Sequence, residues 1–170
     1  MEEQYVYFRE KQRFRQPWLW VVVLGVAGLF WAGFISQVLF GAVFGSRPIA
    51  DVQLTVAFVL VGIGLPWFFY KMSLTTEVRP GELQVRFWPF HHKPVIIPLH
   101  TIRNYIHVTY NPILEYGGWG MRWGLQGKAY NTSGTKGVKL EFYNQRPLLI
   151  GSQRAEELWE AIRLAKEGNS

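Results

Sequence analysis

The chain has no cysteine, which excludes disulfides, thiolate metal sites and cysteine nucleophiles. It is also poor in acid: 12 Asp and Glu stand against 18 Lys and Arg, a net charge of +6. The most informative absence is local. No charged residue occurs from Trp18 to Ser46, and none from Val52 to Tyr70. Nearly all the charge of this 170-residue chain therefore lies in its first 17 residues and its last hundred.

A hydrocarbon core of about 30 Å is crossed by about 20 apolar helical residues. The runs Trp18–Phe44 and Val52–Tyr70 meet that length, with 27 and 19 residues. Trp18, Trp20, Trp67 and Tyr70 lie near the run ends, where aromatic rings rest at the headgroup level. Two core helices of a soluble protein are the competing explanation. A domain this small has nowhere to bury two helices that are apolar on every face. A cleaved signal peptide is the other competitor for the first run; the length of the run and the lack of a clean small-x-small site after it argue against it. The segment Gly45-Ser46-Arg47-Pro48-Ile49-Ala50-Asp51 reads as the turn of an antiparallel helix pair. Gly28, Ala32 and Ser36 form a stripe of small residues suited to close packing, and Pro66 is expected to kink or end the second helix.

Lys and Arg near the helix ends set the expected sidedness. Arg9, Lys11, Arg13 and Arg15 precede the first run, and Lys71, Arg79 and Arg86 follow the second, while the turn carries only Arg47. The expectation is a multi-pass protein of the cell (inner) membrane with both termini cytoplasmic. Residues 1–17 form a basic, solvated tail; residues 18–70 form the transmembrane hairpin (18–44 and 52–70). Residues 71–170 form a cytoplasmic β domain.

After Tyr70 the hydrophobic period changes to two. Ser73–Val78 and Leu83–Trp88 flank the turn Arg79-Pro80-Gly81-Glu82 and should pair as a hairpin. Further short strands are expected over Val95–Leu99, Ile102–Tyr110, Met121–Leu125, Lys128–Thr132, Val138–Tyr143 and Leu148–Ile150, with Ile102, Ile106 and Val108 facing inward. Asn111–Gly120 reads as a loop. A closing helix has Ser152 as its N-cap, Glu156 and Glu157 near its positive end, and an apolar face of Leu158, Trp159, Ile162 and Ala165. The fold class is thus an α-helical transmembrane hairpin plus a mainly-β domain.

Pro80-Gly81-Glu82-Leu83, Ile97-Pro98-Leu99-His100-Thr101-Ile102, the glycine-rich middle, and Leu149-Ile150-Gly151-Ser152-Gln153 leading into Ala155-Glu156-Glu157-Leu158 resemble the bacterial pleckstrin-homology-like domain. Gly120–Gly124 through Gly127–Asn131 resembles a subgroup of bacterial membrane proteins with two N-terminal transmembrane helices. The resemblance implies a bent antiparallel barrel capped by the C-terminal helix, and no catalysis. The turn Arg79-Pro80-Gly81-Glu82 departs from a phosphoinositide pattern, since it holds one cation and one anion.

Catalytic signatures are sparse. His91, His92, His100 and His107 lack the convergent partners of a metal site, no G-x-S-x-G elbow occurs, and Gly127-Lys128 stands outside any P-loop. The spacing of Glu115 and Glu141 supports no carboxylate pair. The glycines between 117 and 127 read as turns or bulges. The expectation is a non-catalytic interaction module without cofactor or metal, binding a protein, peptide or lipid at the inner leaflet, with no nucleic-acid partner. The alternative is structural self-assembly as a homo-oligomer, or an accessory subunit of a membrane complex. The candidate binding groove is the aromatic and basic cluster Tyr116, Trp119, Arg122, Trp123, Lys128 and Tyr130, against the competing reading that these aromatics are core of a small β domain.

Overall fold

A computed structural model describes residues 5–41, 51–124 and 127–168. The end of the first apolar run, the turn through Ala50, and Leu125 lie outside the described residues. The chain divides into two compact units: Phe14–Lys71, and Met1–Arg13 together with Met72–Ser170.

The first unit is helical. α1 (Pro17–Phe34) opens with Pro at its first position, where the missing N–H costs nothing, and runs on as a π-helical turn over Ile35–Leu39. α2 (Asp51–Ala57), a π-helical stretch over Phe58–Gly64, and α3 (Leu65–Lys71) form the second helix. Both are long and apolar enough to cross a membrane, and only 17% of the most apolar window of each is buried. That low burial is unlike the core helices of a soluble domain. The helices meet along Val23, Ala27 and Gly33 on one side and Leu54, Phe58 and Gly62 on the other, all buried. Phe58 stacks on Phe34 with ring centroids 4.4 Å apart and meets Trp31 edge-on at 4.7 Å.

One expectation fails here and another is narrowed. The Gly28–Ala32–Ser36 stripe is not the seam: Gly28 and Ala32 are exposed, and nothing lies within 4 Å of where a Gly28 Cβ would stand. The aromatic rings recruit the neighbouring row instead, because Phe58 brings more contact area than a small-residue stripe offers. Pro66 does not end its helix, which continues to Lys71. The wide π turn just before it opens the backbone where the proline ring would crowd the preceding carbonyl.

Among the described residues the second unit contains nine strands in two sheets. One has the order β1 (Phe8–Arg13), β2 (Ser73–Arg79), β3 (Glu82–Trp88), β4 (Val95–Pro98). The other has the order β5 (Ile102–Thr109), β8 (Lys136–Phe142), β9 (Leu148–Gly151), β7 (Gly127–Asn131), β6 (Gly120–Gly124). Among the described residues no ladder joins the two sheets, and β7 and β9 run parallel, unlike the all-antiparallel arrangement that the resemblance implies. A short α4 (Pro112–Tyr116) and α5 (Ala155–Glu167) complete the unit.

The inner face of the first sheet follows from strict alternation. Phe8, Val78, Leu83 and Ile97 lie side by side across its four strands, as do Gln12, Leu74 and Phe87 across three. They pack toward Val138, Leu140, Leu148, Ile150 and Tyr130, all buried, and Phe87 stacks on Tyr130 at 6.4 Å. α5 turns Ala155, Leu158, Ala161, Ile162 and Ala165 inward. It touches β1 and β2 of one sheet and β5 and β8 of the other, so it closes one side of the sandwich.

The largest departure from the sequence reading is at the N-terminus. Residues 8–13 are not a solvated tail; they form β1, paired antiparallel along the whole of β2 from Phe8↔Val78 to Arg13↔Ser73. Arg9, Lys11 and Arg13 take the exposed face while Phe8, Glu10 and Gln12 are buried. The polar pair is satisfied from afar. Ser152 Oγ donates to Glu10 at 2.6 Å and Gln153 N at 3.2 Å; Gln12 Nε2 donates to Gly151 O at 2.8 Å and Thr132 Oγ1 to Gln12 at 3.0 Å.

Smaller differences have local causes. Ser152 is not the N-cap of α5, which starts at Ala155; its hydroxyl accepts from Arg154 N and donates to Glu10 instead. A bulge between Ile102 and Asn104 shifts β5, so Ile102 is buried but Ile106 faces out. The expected loop after Asn111 holds α4, whose cap is complete. Asn111 Oδ1 accepts from Ile113 N and Leu114 N, Glu115 accepts from Asn111 N at 2.6 Å, and Gly117 closes the helix at φ +72°.

Candidate binding groove

Two open sheets present four edges: β1, β4, β5 and β6. α5 covers the side holding β1 and β5. On the other side a groove of about 520 Å³ runs between β4 and the β6–β7 hairpin. Its walls are Val95, Ile96, Ile97 and Pro98 of β4, Trp123, Lys128 and Tyr130 of the hairpin, and Phe142, Gln145, Arg146, Pro147 and Leu148 around the β8–β9 connection, with Thr101. Four consecutive β4 residues line it. Successive strand side chains point to opposite faces, so a groove touching all four follows the strand's edge rather than either face. Its volume suits a small ligand or a short peptide segment.

The sequence places its six candidate residues in one cluster; the structure divides them. In the β6–β7 hairpin, Trp123 pairs with Lys128 and Met121 with Tyr130, while Arg122 pairs with Ala129 on the opposite face. Trp123, Lys128 and Tyr130 therefore line the groove. Tyr116, Trp119 and Arg122 do not. Tyr116 is buried in a cluster with Tyr110, Ala129 and Leu149, Trp119 Nε1 donates to Gly134 O, and Arg122 Nε donates to Trp119 O. In that cluster burial pushes the Tyr110 hydroxyl up to about 12, so it stays neutral.

Electrostatics give the groove a sign. The Lys128 ammonium stands 4.7 Å from the Trp123 ring centre and 4.6 Å from that of Tyr130, held between two aromatic faces. Arg146 adds a second cation, and no Asp or Glu is among the lining residues. His91 packs edge-on against Tyr130 at 5.4 Å and accepts from Phe87 N through Nδ1 at 3.3 Å. Burial, and next the charge of Lys128, hold its pKa below the ordinary 6.5, so it is neutral near pH 7. Tyr130 is almost wholly buried, and its hydroxyl meets no hydrogen-bond partner among the described residues. A buried hydroxyl left in that state costs free energy that a ligand or water relieves.

One glycine builds the rim. Gly127 has φ +115°, and a Cβ there would collide with the carbonyl oxygen of Pro147. The same carbonyl accepts from Lys128 N at 3.0 Å, which seats Lys128 against the β8–β9 connection.

The residues lining the groove include no Asp, Glu or His. Among the described residues no three of His, Cys, Asp and Glu gather as metal ligands. Glu115 and Glu141 serve separate local bonds, accepting from Asn111 N and from Asn104 Nδ2 respectively. Ser133 and Lys136 have a Ser-x-x-Lys spacing that the sequence reading passes over. Ser133 sits in a turn bonded to Gln153, and Lys136 opens β8 with its ammonium 3.9 Å from Glu156, so the pair lacks a helix to align it. The β4 wall and Arg146 are the parts of the groove that sequence reasoning missed. β4 belongs to the other sheet, and only the exposed Val95-Ile96 pair hints at it.

The model of a family of unknown function (DUF6141) matches residues 1–166. No curated protein matches the chain.

Proposed function

We propose, for a chain that belongs to the DUF6141 family, that it is a membrane-anchored, non-catalytic interaction module. The two apolar helices anchor it, both termini stay in the cytoplasm, and the β domain, a pleckstrin-homology-like unit in this reading, binds a partner at the inner leaflet. The observation that carries the reading is the groove beside β4, an apolar trough edged by two cations.

Chain connectivity supports the hairpin. Residues 13 and 73 are paired neighbours in one sheet, so the chain leaves and re-enters the β domain at adjacent points. An even number of crossings between them keeps both ends of the insertion on one side. The excess of Lys and Arg flanking the helices points that side inward. For the pleckstrin-homology-like reading, the support is the two sheets with one C-terminal helix closing a side; the parallel β7–β9 pair is a departure from it.

The test uses the full chain in its own cells. A benzoylphenylalanine photocrosslinker at position 123 should give discrete adducts in the membrane fraction, and the same probe at exposed Tyr143 should not. Recovery of the chain in the supernatant after cell rupture without detergent would refute the anchor. Absence of adducts at 123 would refute the module. A second reading, self-assembly, draws on the exposed Ile113 and Leu114 of α4. Sedimentation of the detergent-solubilised chain as a monomer at every concentration would remove it.

A further inference from the structure

We infer that the groove receives an extended peptide carrying carboxylates among apolar residues, added as a fifth strand on β4. This rests on the interaction-module reading and names the partner's chemistry.

Three observations converge. First, β4 is the outer strand of its sheet, and its length, not one of its faces, forms the groove wall. An outer strand presents backbone N–H and C=O groups that only another strand satisfies in series. Val95 and Ile97 pair with Val85 and Leu83 of β3 in the same phase as Leu99 N donating to Gly81 O. Pro98, which ends β4, has no N–H, so the donor β4 offers an added strand is Ile96 N, with neighbouring carbonyls as acceptors. The pairing is short, and side-chain contacts must supply the rest of the affinity. Second, those contacts are selective. Ile96, 55% exposed, and Trp123, 71% exposed, offer apolar surface at the groove's mouth. Lys128 and Arg146 provide two positive charges with no acidic residue among the lining to neutralise them. A strand alternating apolar and carboxylate side chains matches both. Third, the Lys128 ammonium is fixed 4.7 Å from the Trp123 ring centre and 4.6 Å from that of Tyr130, so its charge is presented at a set place in the lining.

An anionic lipid would satisfy the charges but not the strand edge, and that difference sets the experiment. The full chain in phosphatidylcholine nanodiscs is titrated with three fluorescein-labelled, end-blocked hexapeptides: alternating Val-Glu, alternating Val-Lys, and Val-Glu with alternate backbone nitrogens methylated. The Val-Glu peptide should bind saturably and at least tenfold more tightly than Val-Lys. Methylation should abolish binding, because a methylated strand cannot complete the ladder. Lys128→Gln with Arg146→Gln should weaken binding at least tenfold. Arg146→Gln alone, on an exposed side chain that leaves the fold untouched, should weaken it severalfold. Equal binding of the Glu and Lys peptides, or indifference to methylation, would overturn the inference. So would selective retention of phosphatidylglycerol vesicles with no peptide binding. Crosslinks at position 123 that persist in cells while the Val-Glu peptide fails would sink the acidic strand and leave the module reading standing; loss of both removes both.

Discussion

The N-terminal strand makes a quantitative demand that a flexible tail would not. Glu10 is buried, and its carboxylate accepts from Ser152 Oγ at 2.6 Å, Gln12 Nε2 at 3.1 Å and Gln153 N at 3.2 Å. Hydrogen bonds to a charged group contribute about 1.5–3 kcal/mol each, and stranding buried donors costs about 1–3 kcal/mol per group. Some of the three donors will find water, so Glu10→Ala should cost about 3 kcal/mol overall. The perturbation is best read in a chain freed of its helices. Arg13 and Ser73 face each other across an antiparallel pair. Gly-Asn-Gly followed by Met72 therefore suffices to join residues 1–13 to 72–170 as a four-residue hairpin loop.

That joined chain should be monomeric and β-rich, and Glu10→Ala should lower its melting temperature by about 12 °C, at about 4 °C per kcal/mol for a domain of this size. Ser152→Ala combined with Glu10→Ala should cost less than the sum of the two, since both remove one bond. The fragment 72–170, which lacks β1 altogether, should aggregate, because it exposes the long edge of β2 and removes the carboxylate that the Ser152 hydroxyl donates to. Thermal unfolding followed by circular dichroism, with sedimentation for the fragment, reads all three. A shift below about 3 °C for Glu10→Ala, or a stable monomeric 72–170, would refute the clasp.

Three further outcomes follow from single sites. Gly127→Ala should destabilise the β domain by about 2–5 kcal/mol, combining backbone strain at φ +115° with a collision against Pro147 O; denaturant unfolding of the joined chain measures it, and a change under 1 kcal/mol would contradict the close approach. Ile162→Ala, at a fully buried position on α5, should cost about 2–5 kcal/mol by the same measurement. His91, held below 6.5 by burial and then by Lys128, binds fewer protons folded than unfolded once the pH falls under 6.5. Its contribution to stability is therefore intact above that pH and lost progressively below it. Lys128→Gln should raise the His91 midpoint in an NMR titration, and an unmoved midpoint would exclude the charge effect.

How far the sequence speaks depends on how local the cause is. β2 and β3 announce themselves because Leu74, Val78, Leu83, Val85 and Phe87 alternate with polar residues around a Pro-Gly turn. α5 is equally plain from its apolar spacing. β1 is silent because two of its three buried positions are Glu10 and Gln12, which bond each other and otherwise find partners 120 to 143 residues away along the chain. No periodicity reveals a polar side chain whose satisfaction is that remote. α4 was legible and passed over: Asn111-Pro112 and Glu115 spell a capped helix start, and Gly117 its end. For the groove, the hairpin from 120 to 131 collects Trp123, Lys128 and Tyr130 by local pairing. The same alternation sends Arg122 to the other face, which a count of nearby aromatics and cations does not register.

The two units agree on how the chain is threaded, and the agreement bears on folding. Closing β1 onto β2 brings together residues separated by the whole of 14–72, and a flexible loop of that length costs about 3.6 kcal/mol in the logarithmic part of its closure entropy alone. The helical unit removes most of that cost. Its own two ends are already adjacent, with the Phe14 and Phe69 rings 6.3 Å apart edge to face and the helices locked by Phe58 between Trp31 and Phe34. Once the helices pair, residues 13 and 73 are delivered as neighbours, and the β1–β2 ladder has only a short gap to close. The expected order is helices first, strand clasp second. A Gly62→Leu substitution, which drives bulk into the Phe58 ring where even a Cβ would stand at 2.9 Å, should slow acquisition of the clasp without touching a single β residue. Pulsed proteolysis during synthesis into nanodiscs would show β1 protected late in the variant and early in the native chain; equal timing would mean that the sheet closes without help from the helices.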